Sequence, residues 1–191
     1  MKINGVTLSS GGGVHIPLPP ISGFSYSAIT IIGSTVLNAS QQFNGILQLF
    51  TFFPINTLTV DQMQFEITTA AASTLSKLVI YSNQNSTPKN KLYESTDISS
   101  ATTGLKTIST SFIFTGGTVY WLGVVSNSNS VSIRTIPQAN SQPIFTMSDS
   151  FASSYNGWAI SAAYGSLPST VTVNSGNLSG YGAPFIRFRQ A

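Results

Sequence analysis

The chain has 191 residues, enough for one well-buried core and too few for two, so its length predicts a single domain. It contains no cysteine, which excludes a disulfide framework, a thiolate metal site and a cysteine nucleophile, and agrees with synthesis in a reducing cytoplasm. Only 7% of residues are charged, whereas serine, threonine, asparagine and glutamine together number 73. Uncharged polar groups cost less to bury at a contact than charges, so this composition suits assembly or sugar binding.

The net charge of +3 comes from basic residues scattered along the chain, with no lysine or arginine cluster beyond Lys89 and Lys91, so no nucleic-acid footprint is predicted. The most apolar stretch, residues 46–55, is interrupted by polar residues and is much shorter than the roughly 20 residues of a spanning helix. The N-terminus carries one lysine with no apolar run after it, so we expect no secretory signal. These observations predict a protein made in the cytoplasm, with no membrane segment.

Residues 1–22 are predicted to form an extended arm. Three glycines at 11–13 give a flexible stretch, and the proline-rich residues after them favour an extended conformation. Such an arm has no core of its own, so we expect it to contact the body of the domain or a neighbouring chain. The predicted assembly contacts of the arm are Val14, His15, Ile16, Pro17 and Leu18.

Residues 23–191 are predicted to form one all-β domain, an antiparallel two-sheet β-sandwich of jelly-roll-like type. Short β-branched and aromatic runs alternate with clusters of serine, asparagine, glycine and proline, and no helical pattern is present. Ten strands in a chain of this length favour two packed sheets. The predicted strands are 24–32, 46–53, 58–68, 75–82, 107–115, 118–126, 131–136, 143–147, 170–173 and 184–189.

Three local features refine this prediction. The apolar positions of strand 58–68 change parity at Asp61-Gln62, which predicts a β-bulge there. Strand 118–126 has large apolar residues on both faces, so it is expected to be a central strand covered on both sides. The turns at 115–118 and 127–130 are each interpreted as closing a β-hairpin, since glycine or asparagine and serine stand between two apolar runs.

The residue types give little support for catalysis. His15 is the sole histidine and no cysteine is present, so neither a catalytic triad nor a metal site is predicted, and His15 is interpreted as an arm contact. Spacing leaves open a pair of facing carboxylates, Glu94 with Asp97 or Asp61 with Glu66, as in a glycoside hydrolase. Glu94 and Asp97 are expected in a polar loop, however, and no calcium, Walker or nucleophile-elbow motif occurs. We therefore predict a non-enzymatic protein without cofactor.

The most plausible ligand surface is the segment 153–165, in which aromatic residues stand among small polar ones. Tyr155, Trp158 and Tyr164 could form a carbohydrate platform, because sugars stack on aromatic faces. The favoured alternative is that Trp158 and Tyr164 close one end of the sandwich. Arg187 and Arg189 share a strand face and could pair across an interface or within the chain.

Several motifs resemble a β-sandwich module of tailed-bacteriophage virion proteins. The similar positions, spread over residues 45–190, are Phe52, Phe53 and Pro54; 65–70; 77–81; Pro88; Leu92 with Asp97; and 120–124. Lys89 and Asn90 stand where that module often has glycine after the proline. The resemblance implies a structural protein of the virion, made in the host cytoplasm, of the kind found in capsid decoration or cement proteins, tail fibres and appendages.

The first hypothesis is a capsid decoration or cement protein, expected to be a homotrimer whose arm reaches a neighbouring subunit and whose partner is the major capsid protein. The alternative is a tail-fibre or appendage protein that recognises host surface carbohydrate through the aromatic segment. Such a tip normally needs a shaft, and the chain has no heptads or collagen-like triplets. Two further hypotheses are a hydrolase and a cellular carbohydrate-binding module. The residues support both of these less than the two virion hypotheses.

Overall fold

The computed structural model describes residues 43–136, 157–174 and 182–191 with their side chains, and the backbone of seven short strands outside these ranges. This part of the chain is β-structure with turns and contains no helix, hence none long and apolar enough to cross a membrane. The predicted all-β class is confirmed. Of the predicted arm, only the backbone of residues 2–3 and 6–7 is described, as an antiparallel pair of short strands. Val14, His15, Ile16, Pro17 and Leu18 and the predicted boundary at residue 22 lie outside the described residues.

Eighteen strands are defined in the described part of the chain. They are β1 (Lys2–Ile3), β2 (Val6–Thr7), β3 (Ser25–Ser27), β4 (Ala39–Gln41), β5 (Ile46–Phe52), β6 (Leu58–Thr69), β7 (Leu75–Gln84), β8 (Thr87–Glu94), β9 (Ile98–Ser99), β10 (Gly104–Phe114), β11 (Tyr120–Ser126), β12 (Ser132–Ile136), β13 (Met147–Ser150), β14 (Ser153–Tyr155), β15 (Gly157–Ser161), β16 (Leu178–Ser179), β17 (Ala183–Pro184) and β18 (Arg187–Gln190).

Two seven-stranded antiparallel sheets pack face to face, as a β-sandwich requires. Sheet I joins β17, β12, β6, β18 and β3 in that order, with β10 paired to β6 and β4 paired to β12. Sheet II joins β16, β15, β5, β11, β7 and β8, with β9 also paired to β7. The predicted antiparallel two-sheet sandwich is therefore confirmed.

The core between the sheets comes from alternating side chains of β6, β7, β10, β11, β12 and β18. Apolar residues of both inner faces meet there because side chains of a strand alternate between its two faces. Aromatic rings connect the sheets at one end of this core: Phe114 lies 4.9 Å from Phe52 of sheet II and 5.0 Å from Phe188 of sheet I, measured between ring centroids.

The predicted bulge in β6 is confirmed. Leu58 and Val60 are buried before it, and Met63 continues the same core face after it with the opposite parity. The pairing of β18 with β6 shifts by one residue at this point, since Arg189 pairs with Gln62 and Gln190 pairs with Val60. The extra residue in β6 keeps its apolar side chains on one face along the whole strand.

β11 is the central strand that the sequence predicts. All seven of its residues are buried, and it lies between β5 and β7 in sheet II. Leu122 and Val124 face the core between the sheets, whereas Trp121 and Val125 face a second apolar cluster on the other side of sheet II. Sheet II is therefore covered on both faces, and the domain has three layers at this point.

Both predicted hairpins are wrong. The turns at 115–118 and 127–130 reverse the chain, but β10 and β12 belong to sheet I whereas β11 belongs to sheet II. Turn residues show where the chain reverses without showing whether the next strand pairs or crosses to the other sheet. A two-residue hairpin joins β7 to β8 through Asn85 and Ser86, whose φ angles of 51° and 61° are typical of a type I′ turn.

Three further strand predictions need correction. β8 and β15 are strands that were not predicted, since Glu94 was expected in a polar loop and segment 153–165 was interpreted only as a possible aromatic surface. The predicted strand 170–173 is a single bridge between Thr170 and Asn90. Residues 143–146 of the predicted strand 143–147 lie outside the described residues.

Candidate functional site

Residues 162–174, here called the covering segment, lie across the outer face of sheet II. Leu167 and Val171 are buried in the second cluster together with Trp121 and Trp158. The backbone of the segment is bonded to β8, since the Lys91 N–H donates to the Ser169 carbonyl at 2.8 Å and the Val171 N–H donates to the Lys89 carbonyl at 2.7 Å. The segment thus acts as a third layer of the fold.

Two side chains of sheet II donate hydrogen bonds to backbone carbonyls of the covering segment. The Tyr81 hydroxyl donates to the Pro168 carbonyl at 2.7 Å, and the Lys91 ammonium donates to the Leu167 carbonyl at 2.9 Å. Burial raises the pKa of Tyr81 to about 12, and the nearby charge of Glu94 adds to this shift. Tyr81 therefore keeps its proton, and with it this hydrogen bond, throughout the neutral range.

An ionic cluster forms where β7 and β8 meet the covering segment. Glu94 accepts from Lys77 at 2.7 Å through Oε1 and from Lys91 at 2.6 Å through Oε2. Asp97 lies 3.5 Å from the Lys77 ammonium and accepts a 2.8 Å hydrogen bond from the Tyr164 hydroxyl. The Lys77 ammonium also lies 5.5 Å from the centre of the Tyr164 ring, within cation–π range.

The charges of this cluster fix one another. Partial burial alone would raise the pKa of Glu94, but hydrogen bonds from Lys77 and Lys91 outweigh it and hold the pKa below the ordinary 4.5. The hydrogen bond to Glu94 raises the pKa of Lys77. Burial, followed by the hydrogen bond to Asp97, raises the pKa of Tyr164. These shifts stabilise the ionised form of Glu94 and the protonated form of Lys77 at neutral pH.

The properties of this cluster are those of a structural ion network that holds parts of the fold together. A glycosidase acid must hold its proton near neutral pH, which requires a raised carboxyl pKa, and Glu94 is shifted the opposite way. The bonds that leave the cluster end on Leu167 and Tyr164 of the covering segment. The four side chains from β7, β8 and the loop after β8 thus fasten the third layer to sheet II.

Acid is expected to destabilise the fold, because it neutralises Glu94 of this cluster and the carboxylates of two other internal ion pairs, Glu66 with Arg134 and Asp61 with Arg189. Glu94, Glu66 and Asp61 all have pKa values below their ordinary 4.5, 4.5 and 3.8 in the folded chain. A carboxylate with a lowered folded-state pKa contributes stability above its unfolded pKa and loses that contribution as the pH falls through the folded value. We expect the free energy of unfolding in urea to be highest near neutral pH and to fall as the pH drops below 4.5.

The Glu94→Gln variant measures how much this one carboxylate contributes to the pH dependence of the free energy of unfolding. We expect it to be less stable than the parent at pH 7, because Lys77 and Lys91 lose their anion, and to approach the parent as the pH falls below 4.5 and through the lowered pKa of Glu94, where the carboxyl becomes protonated. Urea unfolding at a series of pH values measures this difference. A stability gap that stays constant across the series would contradict the ionic role of Glu94.

The aromatic platform residues are placed differently from one another. Trp158 lies on β15 opposite Leu49, is 7% exposed and belongs to the second cluster. Its indole Nε1–H has no hydrogen-bond acceptor in the described structure. Tyr164 is half-buried against the same cluster, and Tyr155 belongs to β14 with its side chain outside the described residues. A sugar would reach the Trp158 ring only if the second cluster opened, and the platform stays a prediction.

The carboxylates Asp61 and Glu66 and the arginine Arg189 have internal partners, whereas no ion pair is described for Arg187. Arg189 pairs with Asp61 through two hydrogen bonds of 2.8 and 2.6 Å, so its partner is internal. Arg134 binds Glu66 in the same two-pronged manner at 2.6 and 2.9 Å. The side chain of Asp149 lies outside the described residues. In the ranges with described side chains, no three histidine or acidic side chains come together to hold a metal ion.

Sequence reasoning missed one surface, the side of the sandwich formed by β8 and β10. The rings of Tyr93 on β8 and Phe112 on β10 lie 5.9 Å apart and join the two strands along this side. Their chain neighbours Leu92 and Ile113 are 47% and 55% exposed. The alternation of residues 105–113 could have indicated an amphipathic edge strand, but only the sheet order shows that β10 is at an edge.

Comparison with known proteins adds no relative. No protein-family model matches the chain, and no curated protein matches it. The functional interpretation therefore depends on the chain's own residues and geometry.

Proposed function

We propose that this chain is a structural protein of a tailed-bacteriophage virion, and specifically a capsid decoration or cement protein. Its partners would be the major capsid protein and further copies of itself, in the expected homotrimer. Residues 14–18 would supply arm contacts, and the sandwich would be a rigid body seated on the shell. The proposal includes no catalytic step.

The observation that carries this proposal is the use of the charged side chains. Each of the four carboxylates whose side chains are described lies in an internal ion pair: Asp61 with Arg189, Glu66 with Arg134, and both Glu94 and Asp97 with Lys77. Among the described side chains, those left for a partner are mainly hydroxyls, amides and a few exposed apolar groups, together with the positive charges of Lys89, Lys106 and Arg187, which form no ion pair in the described structure. Such a surface can be buried against another protein without a large desolvation cost.

Cementing would follow from mass action. A protein that binds the assembled lattice and not its separated subunits stabilises the lattice by the free energy of that binding. Rigidity helps, because a body whose third layer is already fastened by Lys91 and Tyr81 loses little conformational entropy on docking.

The copy number of the chain per particle tests the proposal. We expect quantitative mass spectrometry of purified particles to find the chain near parity with the major capsid protein, because a decoration protein repeats with the shell lattice. A small fraction of parity would instead place it on the tail or an appendage and make host carbohydrate the ligand to test. Absence from particles would overturn the virion proposal.

A further inference from the structure

β10 has one strand edge that no other described strand pairs with. Among the described strands it pairs only with β6, along the opposite edge and through nine of its eleven residues. Every second residue from Leu105 to Ile113 is exposed, and this alternation continues through the bulge that faces β6 between Ser109 and Phe112. Soluble proteins usually protect a long edge of this kind with prolines, several charges or a covering element, because it can pair with another chain.

This free edge lacks the features that usually prevent such an edge from pairing with another chain. Among residues 104–114, Lys106 is the sole charged residue, and it donates to Thr102 of its own chain at 2.8 Å. Leu105 and Ile113, near the two ends of the strand, are 51% and 55% exposed. Between them the exposed positions carry hydroxyls, at Thr107, Ser109 and Ser111.

The exposed side chains of β10 follow the same order of residue types from either end of the strand, so the edge matches a second, antiparallel copy of itself. An antiparallel partner centred on Ser109 would place Leu105 opposite Ile113 and Thr107 opposite Ser111 of the second strand. Directly opposed side chains on one face contact each other, so apolar would meet apolar and hydroxyl would meet hydroxyl. The two Lys106 residues would be six positions apart, about 20 Å, and would not repel each other strongly.

We propose that β10 pairs with β10 of a second copy of this chain across a two-fold axis at Ser109. The pairing extends sheet I continuously from one copy into the other. A second copy is the occupant that matches this edge by symmetry, since the order apolar, hydroxyl, hydroxyl, hydroxyl, apolar reads the same in both directions. The inference concerns the isolated chain and does not rest on the proposed place in a virion.

Single cysteines test the register, because the chain has none of its own. In Ser109→Cys the two cysteines would face each other with Cα atoms about 4.5–5.5 Å apart, within the range of a disulfide. In Thr107→Cys, the matched control, the two cysteines would be four positions apart, about 13 Å, which is too far. We expect mild oxidation to convert most of Ser109→Cys into a covalent dimer on a non-reducing gel and to leave Thr107→Cys as monomer.

A non-covalent measurement checks the same contact without cysteines. We expect light scattering to give the parent chain an even number of copies, with the dimer at twice the 20.2 kDa of one chain. The double variant Leu105→Lys with Ile113→Lys would bring lysines opposite each other, and its mass should be half that of the parent. The control Ile55→Lys changes an equally exposed residue outside β10 and should keep the parent mass.

The outcomes separate this inference from the virion proposal. Equal cross-linking of both cysteine variants, or none of Ser109→Cys, overturns the two-fold pairing, as does a parent mass of one or three copies. A mass of six copies that falls to three in the double lysine variant supports it together with the expected trimer. Circular dichroism of the lysine variant shows that its sheets are intact. None of these results changes the copy number measured on particles.

Discussion

Adding one methyl group at Gly157 is expected to separate β15 from β5 and to destabilise the domain strongly. A Cβ atom at this position would lie 2.1 Å from the Leu49 carbonyl oxygen and 3.1 Å from a ring carbon of Phe50. The oxygen belongs to the backbone of the neighbouring strand, so it cannot move aside as a flexible side chain would. We expect Gly157→Ala to lower the free energy of unfolding by at least about 3 kcal/mol, the upper end for overpacked cores.

Urea unfolding of Gly157→Ala measures this loss. Trp158 follows Gly157 on β15 and pairs with Leu49, so its fluorescence should also report exposure of the second cluster. The matched control is Gly165→Ala, where a Cβ meets no atom within 4 Å and the change should stay within about 0.5 kcal/mol. Similar stabilities for the two variants would show that β15 does not pair with β5 in this register.

The sequence predicts best those features that depend on the alternation of side chains along one strand. β5, β6, β7, β11 and β12 follow from it with small differences at their ends, and so do the bulge at Asp61 and the burial of β11 on both faces. These features are local, because the parity of apolar residues alone decides which face of a strand is buried.

Strand pairing could not be predicted in the same way. The glycine pair 116–117 was interpreted as a hairpin turn, but a Cβ at Gly116 would lie 2.7 Å from the Thr57 backbone nitrogen. Gly116 is therefore needed for close contact with another loop, and Gly117, with φ of 75°, for the reversal that carries the chain into the other sheet. The same residue types serve a hairpin and a crossing, so composition does not distinguish them.

β8 was missed because it has the composition of an edge strand. Pro88, Lys89 and Lys91 interrupt its pattern, and proline and lysine are tolerated at the edge of a sheet, where β8 meets only a short stretch of the covering segment instead of a full strand. The ionic cluster was missed for a related reason. Its members Lys77 and Tyr164 are 87 positions apart in the chain, and only the packing of the covering segment against sheet II brings them together.

Truncation of Phe114 is expected to have the second large effect, because this ring joins the two sheets. Phe114 is fully buried, and the rings of Phe52, Phe112, Tyr120 and Phe188 lie 4.9, 4.7, 5.0 and 5.0 Å from it between centroids. Phe114→Ala removes these contacts and leaves a cavity that the sheets cannot close without changing their spacing. We expect the free energy of unfolding to fall by about 3–5 kcal/mol.

Urea unfolding measures this effect, with Ile55→Ala as the control, since that residue is 56% exposed and its truncation should cost less than about 0.5 kcal/mol. Phe188→Ala provides a sharper comparison, because it removes the ring that contacts Phe114 from β18. The two losses should not add in the double variant, since each single change already breaks the shared contact. Strict additivity would mean that the two rings do not touch, and that the end of the core near β10 is packed differently.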